Sequence, residues 1–98
     1  MVIDKKEKVE QEKTEQDFLD SGKFYFINSK FDEAAKEFEK VLIKNINNSE
    51  AYCNLGLIYE NKKDFIKAKQ MYNKTLEIDK ENKVAKEHIS KITGMENE

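Results

Sequence analysis

Two segments of this chain carry the same pattern of aromatic, apolar and small residues at a separation of 34 positions. The first copy is Phe18, Gly22, Tyr25, Phe31, Ala34, Phe38 and Leu42; the second is Tyr52, Gly56, Tyr59, Phe65, Ala68, Tyr72 and Leu76. A repeat of this length without insertions indicates stacked helical units, because each unit buries its apolar face only against its neighbours. Such stacks present extended surfaces, so the pattern favours binding over catalysis.

Within each copy the apolar residues recur at helical spacing. Phe18, Gly22 and Tyr25 lie on one face of a helix, and a second stripe begins at Phe31 after a polar interruption. The second copy repeats this arrangement with a turn at residues 61–63. Short turns make neighbouring helices antiparallel, so each copy is expected to form a helical hairpin.

The small residues indicate where the two helices of a hairpin approach most closely. We expect Gly22 to face Ala34, and Gly56 to face Ala68. The aromatic residues then fill the wider ends of each hairpin, because their helical spacing is that of core residues.

The second copy resembles the tetratricopeptide repeat family. It carries Tyr-Cys-Asn-Leu-Gly-Leu-Ile-Tyr at residues 52–59, followed by Ala68 and Tyr72. The first copy is similar, but Ser21 stands where the family has leucine, and both copies lack the family's terminal proline. The resemblance implies an all-α fold, a right-handed superhelical stack of two antiparallel helix-turn-helix hairpins plus a capping helix.

The resemblance also implies how the chain is divided. We expect a charged N-terminal segment or helix extension at residues 1–14, repeats at 15–48 and 49–82, a capping helix at 83–93 and a C-terminal tail at 94–98.

The last helix is expected to close the stack. One of its sides is apolar, whereas the opposite side carries Lys86, Ser90 and Thr93. Gly94 is the expected left-handed C-cap of this helix, and Asp64 is the expected N-cap of the helix that begins at Phe65.

The other end of the stack carries one apolar residue on a largely polar side. Phe24 accompanies Asp17 and Ser21 there. We expect Val2 and Ile3, or a helical extension of the first helix, to cover Phe24.

Composition excludes several classes of function. The net charge is −2, all eighteen basic residues are lysine, and no basic stripe is visible, which argues against nucleic-acid binding. No apolar run approaches the roughly 18 residues of a membrane span, so no membrane partner is expected. A single cysteine and a start without an apolar stretch favour a reducing, cytoplasmic location.

Candidate catalytic residues are few. His88 is the single histidine, and no metal-ligand spacing or phosphate-binding loop accompanies it. Cys53 is expected to be a small packing residue, not a reactive thiol. We therefore expect a protein that is not an enzyme and that needs no cofactor or metal.

The resemblance implies a concave groove lined by the first helix of each hairpin and by the capping helix. Its candidate residues are Leu19, Asp20, Lys23, Cys53, Asn54, Leu57, Asn61, His88 and Lys91. We expect Leu19, Cys53 and Leu57 to be apolar contacts on a free face. The expected partner is a peptide or amphipathic helix of another protein.

Two other functions are weaker expectations from the sequence. Self-association into a weak homodimer would use Phe24 or the charged N-terminus. An enzyme or RNA-binding module is disfavoured, because acidic residues such as Asp20 occupy the groove face. A clamp for chaperone C-terminal carboxylates is also disfavoured, because Leu19 and Val84 stand at two of its positions and only Asn54 matches outright.

Overall fold

The computed structural model describes residues 12–96, and five α-helices account for most of this range. They are α1 (Glu15–Ile27), α2 (Phe31–Lys44), α3 (Ser49–Asn61), α4 (Phe65–Ile78) and α5 (Lys83–Glu96). Helix α1 packs mainly against α2, α3 against α4, and α5 against α4. The described residues form no strand, so the prediction of an all-α fold of helical hairpins is confirmed. No helix within them is long and apolar enough to span a membrane.

Side-chain caps define where four of the helices begin. At α1 the Thr14 hydroxyl accepts from the Asp17 backbone N–H at 3.1 Å, and the Thr14 N–H donates to the Asp17 carboxylate at 2.9 Å. The side chains of Asn48, Asp64 and Asn82 each accept from the backbone N–H three residues later. These bonds satisfy N–H groups that have no partner inside a helix. The predicted N-cap at Asp64 is confirmed.

The capping box fixes the start of α1, because Thr14 is its N-cap and the helix begins at Glu15. Most of the predicted charged segment at residues 1–14 lies outside the described residues. The predicted cover of Phe24 by Val2 and Ile3 lies outside the described residues.

In each hairpin an aromatic ring of the second helix packs against a glycine of the first helix. A Cβ added to Gly22 would lie 2.5 Å from the ring of Phe38, and one added to Gly56 would lie 2.5 Å from the ring of Tyr72. The expectation that the glycines face Ala34 and Ala68 is therefore incomplete. The closest neighbour is the ring one helical turn further along, which takes the space that the missing side chain leaves.

The two turns inside the hairpins have the same geometry at positions 34 residues apart. Ser29 has φ 59° and Lys63 has φ 63°, so both non-glycine residues adopt the left-handed region. In each turn the next residue donates its backbone N–H to a carbonyl five positions back, at 2.9 Å: Lys30 to Tyr25 and Asp64 to Tyr59.

Two apolar clusters form the core. The first joins α1, α2 and α3, and the second joins α3, α4 and α5. Ile58 is 0 % exposed in the first cluster, whereas Phe24, 34 residues earlier, is 64 % exposed. Ile58 is buried because the first hairpin packs against it. The described residues include no hairpin before α1 that could cover Phe24 in the same way.

The capping helix is longer than expected. Helix α5 continues through Gly94 to Glu96, and no glycine in residues 12–96 has a positive φ. The predicted C-cap at Gly94 and the predicted helix end at residue 93 are therefore wrong. The helix continues because Ile92 remains fully buried in its last turns and Glu96 forms an ion pair with Lys69 at 3.0 Å.

Candidate functional site

Two predicted groove residues lie in the core instead of on a free surface. Leu19 is 3 % exposed and packs in the cluster that includes Ala51 and Leu55 of α3. Cys53, 34 residues later, is 7 % exposed and belongs to the cluster that includes Ala85 of α5. Both occupy the seam between the first helix of one unit and the helix that begins the next. The expectation that Leu19 and Cys53 are exposed contacts is therefore wrong.

Three other predicted residues line one open pocket. Leu57 and Asn61 come from α3 and His88 from α5, and they are joined by Phe26 of α1 and Glu60 of α3. The pocket has a volume of ≈ 230 Å³ and opens to solvent. Three helices that are separate in sequence thus contribute to it.

The remaining candidates lie around this pocket or further along the same helices. Lys23 forms an ion pair with Glu50, and Asp20 accepts a hydrogen bond from the Gln16 amide at 2.8 Å. Asn54 is half-buried on α3. Lys91 is exposed, with its ammonium 3.7 Å from the carboxylate of Glu60.

Glu60 is the centre of a polar network that the sequence did not reveal. Its Oε1 accepts a hydrogen bond from the Tyr72 hydroxyl of α4 at 2.7 Å and lies 2.7 Å from Nδ1 of His88 in α5. The rings of Tyr72 and His88 are 5.5 Å apart between centroids. Because a carboxylate only accepts, Nδ1 of His88 carries the proton in this contact. One side chain of α3 therefore holds both α4 and α5.

These contacts set the charge of the network. Burial raises the pKa of Glu60, but hydrogen bonds from Tyr72 and His88 and the nearby charges of His88 and Lys91 outweigh it, so the pKa of Glu60 is lowered overall. Burial, and then the bond to Glu60, raise the pKa of the Tyr72 hydroxyl. The pocket therefore contains a carboxylate that stays ionised beside a phenol that stays neutral.

The buried thiol of Cys53 has a different environment. Burial raises its pKa to about 11, with smaller contributions from the negative charges of Glu50 and Asp79. Its sulfur lies 3.9 Å from the side-chain oxygen of Asn82. Such a thiol is a poor nucleophile near neutral pH, which agrees with the expected packing role.

The arrangement is suited to binding. Apolar contact comes from Phe26 and Leu57, while Glu60, Asn61 and His88 supply polar groups in fixed positions. Within residues 12–96 no group of three or more His, Cys, Asp or Glu side chains is placed to hold a metal ion.

Comparison with known proteins agrees with this architecture. The sequence model described as "Tetratricopeptide repeat" matches residues 49–82, which comprise α3, α4 and the loop after them. The uncharacterized protein ycf37 of Guillardia theta is 33 % identical over 66 residues. That match covers 67 % of this chain and 37 % of the relative, so the chain spans little more than a third of that protein's length. The match and the helical hairpin of α3 and α4 identify residues 49–82 as a tetratricopeptide repeat.

Proposed function

We propose that this protein is an interaction module that binds a peptide or a helix of another protein across α1, α3 and α5. Tetratricopeptide repeats generally mediate protein–protein interactions, and the family is typically not enzymatic. The observation that carries the proposal here is the open pocket lined by Phe26, Leu57, Glu60, Asn61 and His88.

The lining explains how a partner is held. Burying Phe26 and Leu57 under a partner side chain removes apolar surface from water, at roughly 25 cal/mol per Å². Asn61 and Glu60 then select the orientation of the partner by hydrogen bonding. Because residues of three helices line the pocket, it gives an extended partner one anchoring position. The rest of this face remains available for additional contacts.

We also propose that the module does not bind nucleic acid and that it works in the cytoplasm. The net charge of −2 and the acidic residues on this face disfavour nucleic acid as a partner. The single cysteine, buried on α3, is compatible with a reducing, cytoplasmic compartment. We propose residues 15–48 as the first repeat, because α1 and α2 pack through the same glycine–ring contact as α3 and α4.

A peptide selection tests the pocket directly. Peptides selected on the wild-type protein from a random-peptide phage library should bind far more weakly to Asn61→Arg, which places a long cationic side chain at the pocket. Asn73→Arg is the matched control, because Asn73 is exposed on α4 and does not line the pocket. Fluorescence anisotropy measures each affinity, and circular dichroism confirms that both variants fold. Equal affinities for the two variants would contradict the proposed groove.

Self-association is the second candidate function, and the exposed Phe24 supports it. The residue at the same position of the second repeat, Ile58, is fully buried by the neighbouring hairpin. A second copy of this chain would bury Phe24 in a two-fold interface. Sedimentation equilibrium should then show a dimer for the wild type and a monomer for Phe24→Glu. A wild type that is monomeric at all concentrations would exclude this candidate.

A further inference from the structure

We propose that the pocket receives an arginine or lysine side chain of the partner, whose cationic head pairs with Oε2 of Glu60. This inference rests on the proposed function and specifies the chemistry of the partner at its anchoring position. The side chain's aliphatic stem would lie along Phe26 and Leu57, which line the same pocket.

The two oxygens of Glu60 are used unequally. Oε1 is in hydrogen-bond contact with both Tyr72 and His88, each at 2.7 Å. Oε2 is 3.7 Å from the ammonium of Lys91, which is beyond hydrogen-bond distance. The side chain of Glu60 is 14 % exposed, so water competes only partly for this oxygen, and a cation at hydrogen-bond distance would form a stronger pair than Lys91 does.

Lys91 shows that an amine can reach Oε2 from solvent. Its side chain is 65 % exposed, and an ion pair of this length with one exposed partner contributes little free energy. A partner cation can therefore displace Lys91 at small cost, because the lysine regains full hydration. A guanidinium would gain more than an ammonium, since its planar fork donates two parallel bonds to a carboxylate.

The rest of the pocket also favours a long cationic side chain. At about 30 Å³ for each water in the liquid, its volume of ≈ 230 Å³ is much larger than a single ion requires. The ring of Phe26 is fixed by an edge contact with Phe31, at 5.5 Å between centroids, and offers an aromatic surface for a cation. An anionic partner group would instead meet the carboxylate of Glu60. The Nδ1 proton of His88 is directed at that carboxylate and is unavailable to an anion.

A nuclear magnetic resonance titration with a small probe tests this chemistry. N-acetyl-arginine amide carries only the guanidinium charge, and N-acetyl-citrulline amide is its uncharged isostere. The arginine probe should shift the amide signals of Asn61 and His88, with an affinity about three- to fivefold higher than that of the citrulline probe, as expected for one partly exposed ion pair. Equal affinities, or shifts confined to other parts of the protein, would overturn the proposal.

Two variants should change the arginine affinity in opposite directions. Glu60→Gln should reduce it to that of the citrulline probe, whereas Lys91→Met should raise it about two- to threefold by removing the internal competitor. A purely structural role of Glu60 would not produce tighter binding in Lys91→Met. If Glu60→Gln loosens α5, the result for Lys91→Met alone decides, and an unchanged or lower affinity refutes the proposal.

The outcome of the peptide selection separates this inference from the proposed function. If selected peptides bind at Asn61 but lack basic residues, and the arginine probe produces no shift there, the groove stands and the cation site is wrong. If the arginine probe binds as described but no selected peptide is sensitive to Asn61→Arg, the cation site stands and the peptide groove is wrong.

Discussion

Alanine substitution at the three glycines should have opposite effects on stability, depending on what surrounds each one. A Cβ at Gly22 would lie 2.5 to 2.8 Å from three ring atoms of Phe38, and one at Gly56 would lie 2.5 to 3.0 Å from three of Tyr72. Both rings are fully buried, so neither can rotate away into solvent. At Gly94 the new methyl group would meet nothing within 4 Å.

The magnitudes follow from two competing effects. Forcing a methylene into a packed core destabilises by about 1–3 kcal/mol, while replacing glycine by alanine in a helix stabilises by up to about 1 kcal/mol. The contacts at Gly22 and Gly56 involve whole ring edges, so we expect a net loss of about 1–2 kcal/mol for Gly22→Ala and for Gly56→Ala. For Gly94→Ala we expect a gain of about 0.5 kcal/mol, reduced from the full value because the helix ends two residues later.

Thermal unfolding followed by circular dichroism measures all three variants. In a domain of this size about 1 kcal/mol shifts Tm by roughly 4–8 °C, so both losses are well resolved. Urea unfolding gives the free energies independently. A Tm equal to or above that of the wild type for both Gly22→Ala and Gly56→Ala would refute the glycine–ring packing described above.

Three further predictions concern the polar network and the buried thiol. Tyr72→Phe removes the hydroxyl bond to Glu60 and should lower the free energy of unfolding by about 1–3 kcal/mol in urea melts; an unchanged value would mean that this bond is not formed in solution. Because the pKa of Glu60 is lowered in the folded state, its carboxylate stabilises the fold above the ordinary pKa of 4.5, and this contribution is lost as the pH falls through the lowered value. The stability difference between the wild type and Glu60→Gln should therefore shrink below pH 4.5, and an equal difference at neutral pH and in acid would contradict the assignment. Cys53, with its pKa raised to about 11, should react with iodoacetamide near neutral pH at least about tenfold more slowly in the folded than in the urea-unfolded chain, as mass spectrometry measures; equal rates would show that the seam around it opens freely.

The repeat architecture could be predicted because its signal is periodic. Pairs such as Gly22 and Gly56 recur at one fixed separation, and helical spacing assigns the stripes to helices. The N-cap at Asp64 was predictable for a similar reason, since the residue type and its position before an apolar stripe are both local features.

The burial of Leu19 and Cys53 could not be read from the pattern of a single helix. Both lie beside the core stripe, and their burial depends on the side-by-side packing of successive first helices. The signal that was available is that this one repeat position is apolar in both copies, as Leu19 in the first and Cys53 in the second.

The centre of the pocket was missed for a different reason. Glu60 contacts Tyr72, 12 residues away, and His88, 28 residues away, and neither separation matches the helical or the repeat period. Only the three-dimensional arrangement of α3, α4 and α5 brings these groups together. Gly94 was predicted to end α5 because glycine often ends helices. The helix continues past it to Glu96, which still contacts Lys69 of α4.

The left-handed residues Ser29 and Lys63 have a consequence for how the hairpins assemble. Neither side chain favours this backbone conformation, which is unfavourable by about 1 kcal/mol or more for residues other than glycine. The reversal of the chain is therefore imposed by the helices on either side and does not originate in the loop. A peptide that contains a single loop with short flanking arms would sample open conformations, and folding of each hairpin should be cooperative, with the loop ordered only after its helices have docked.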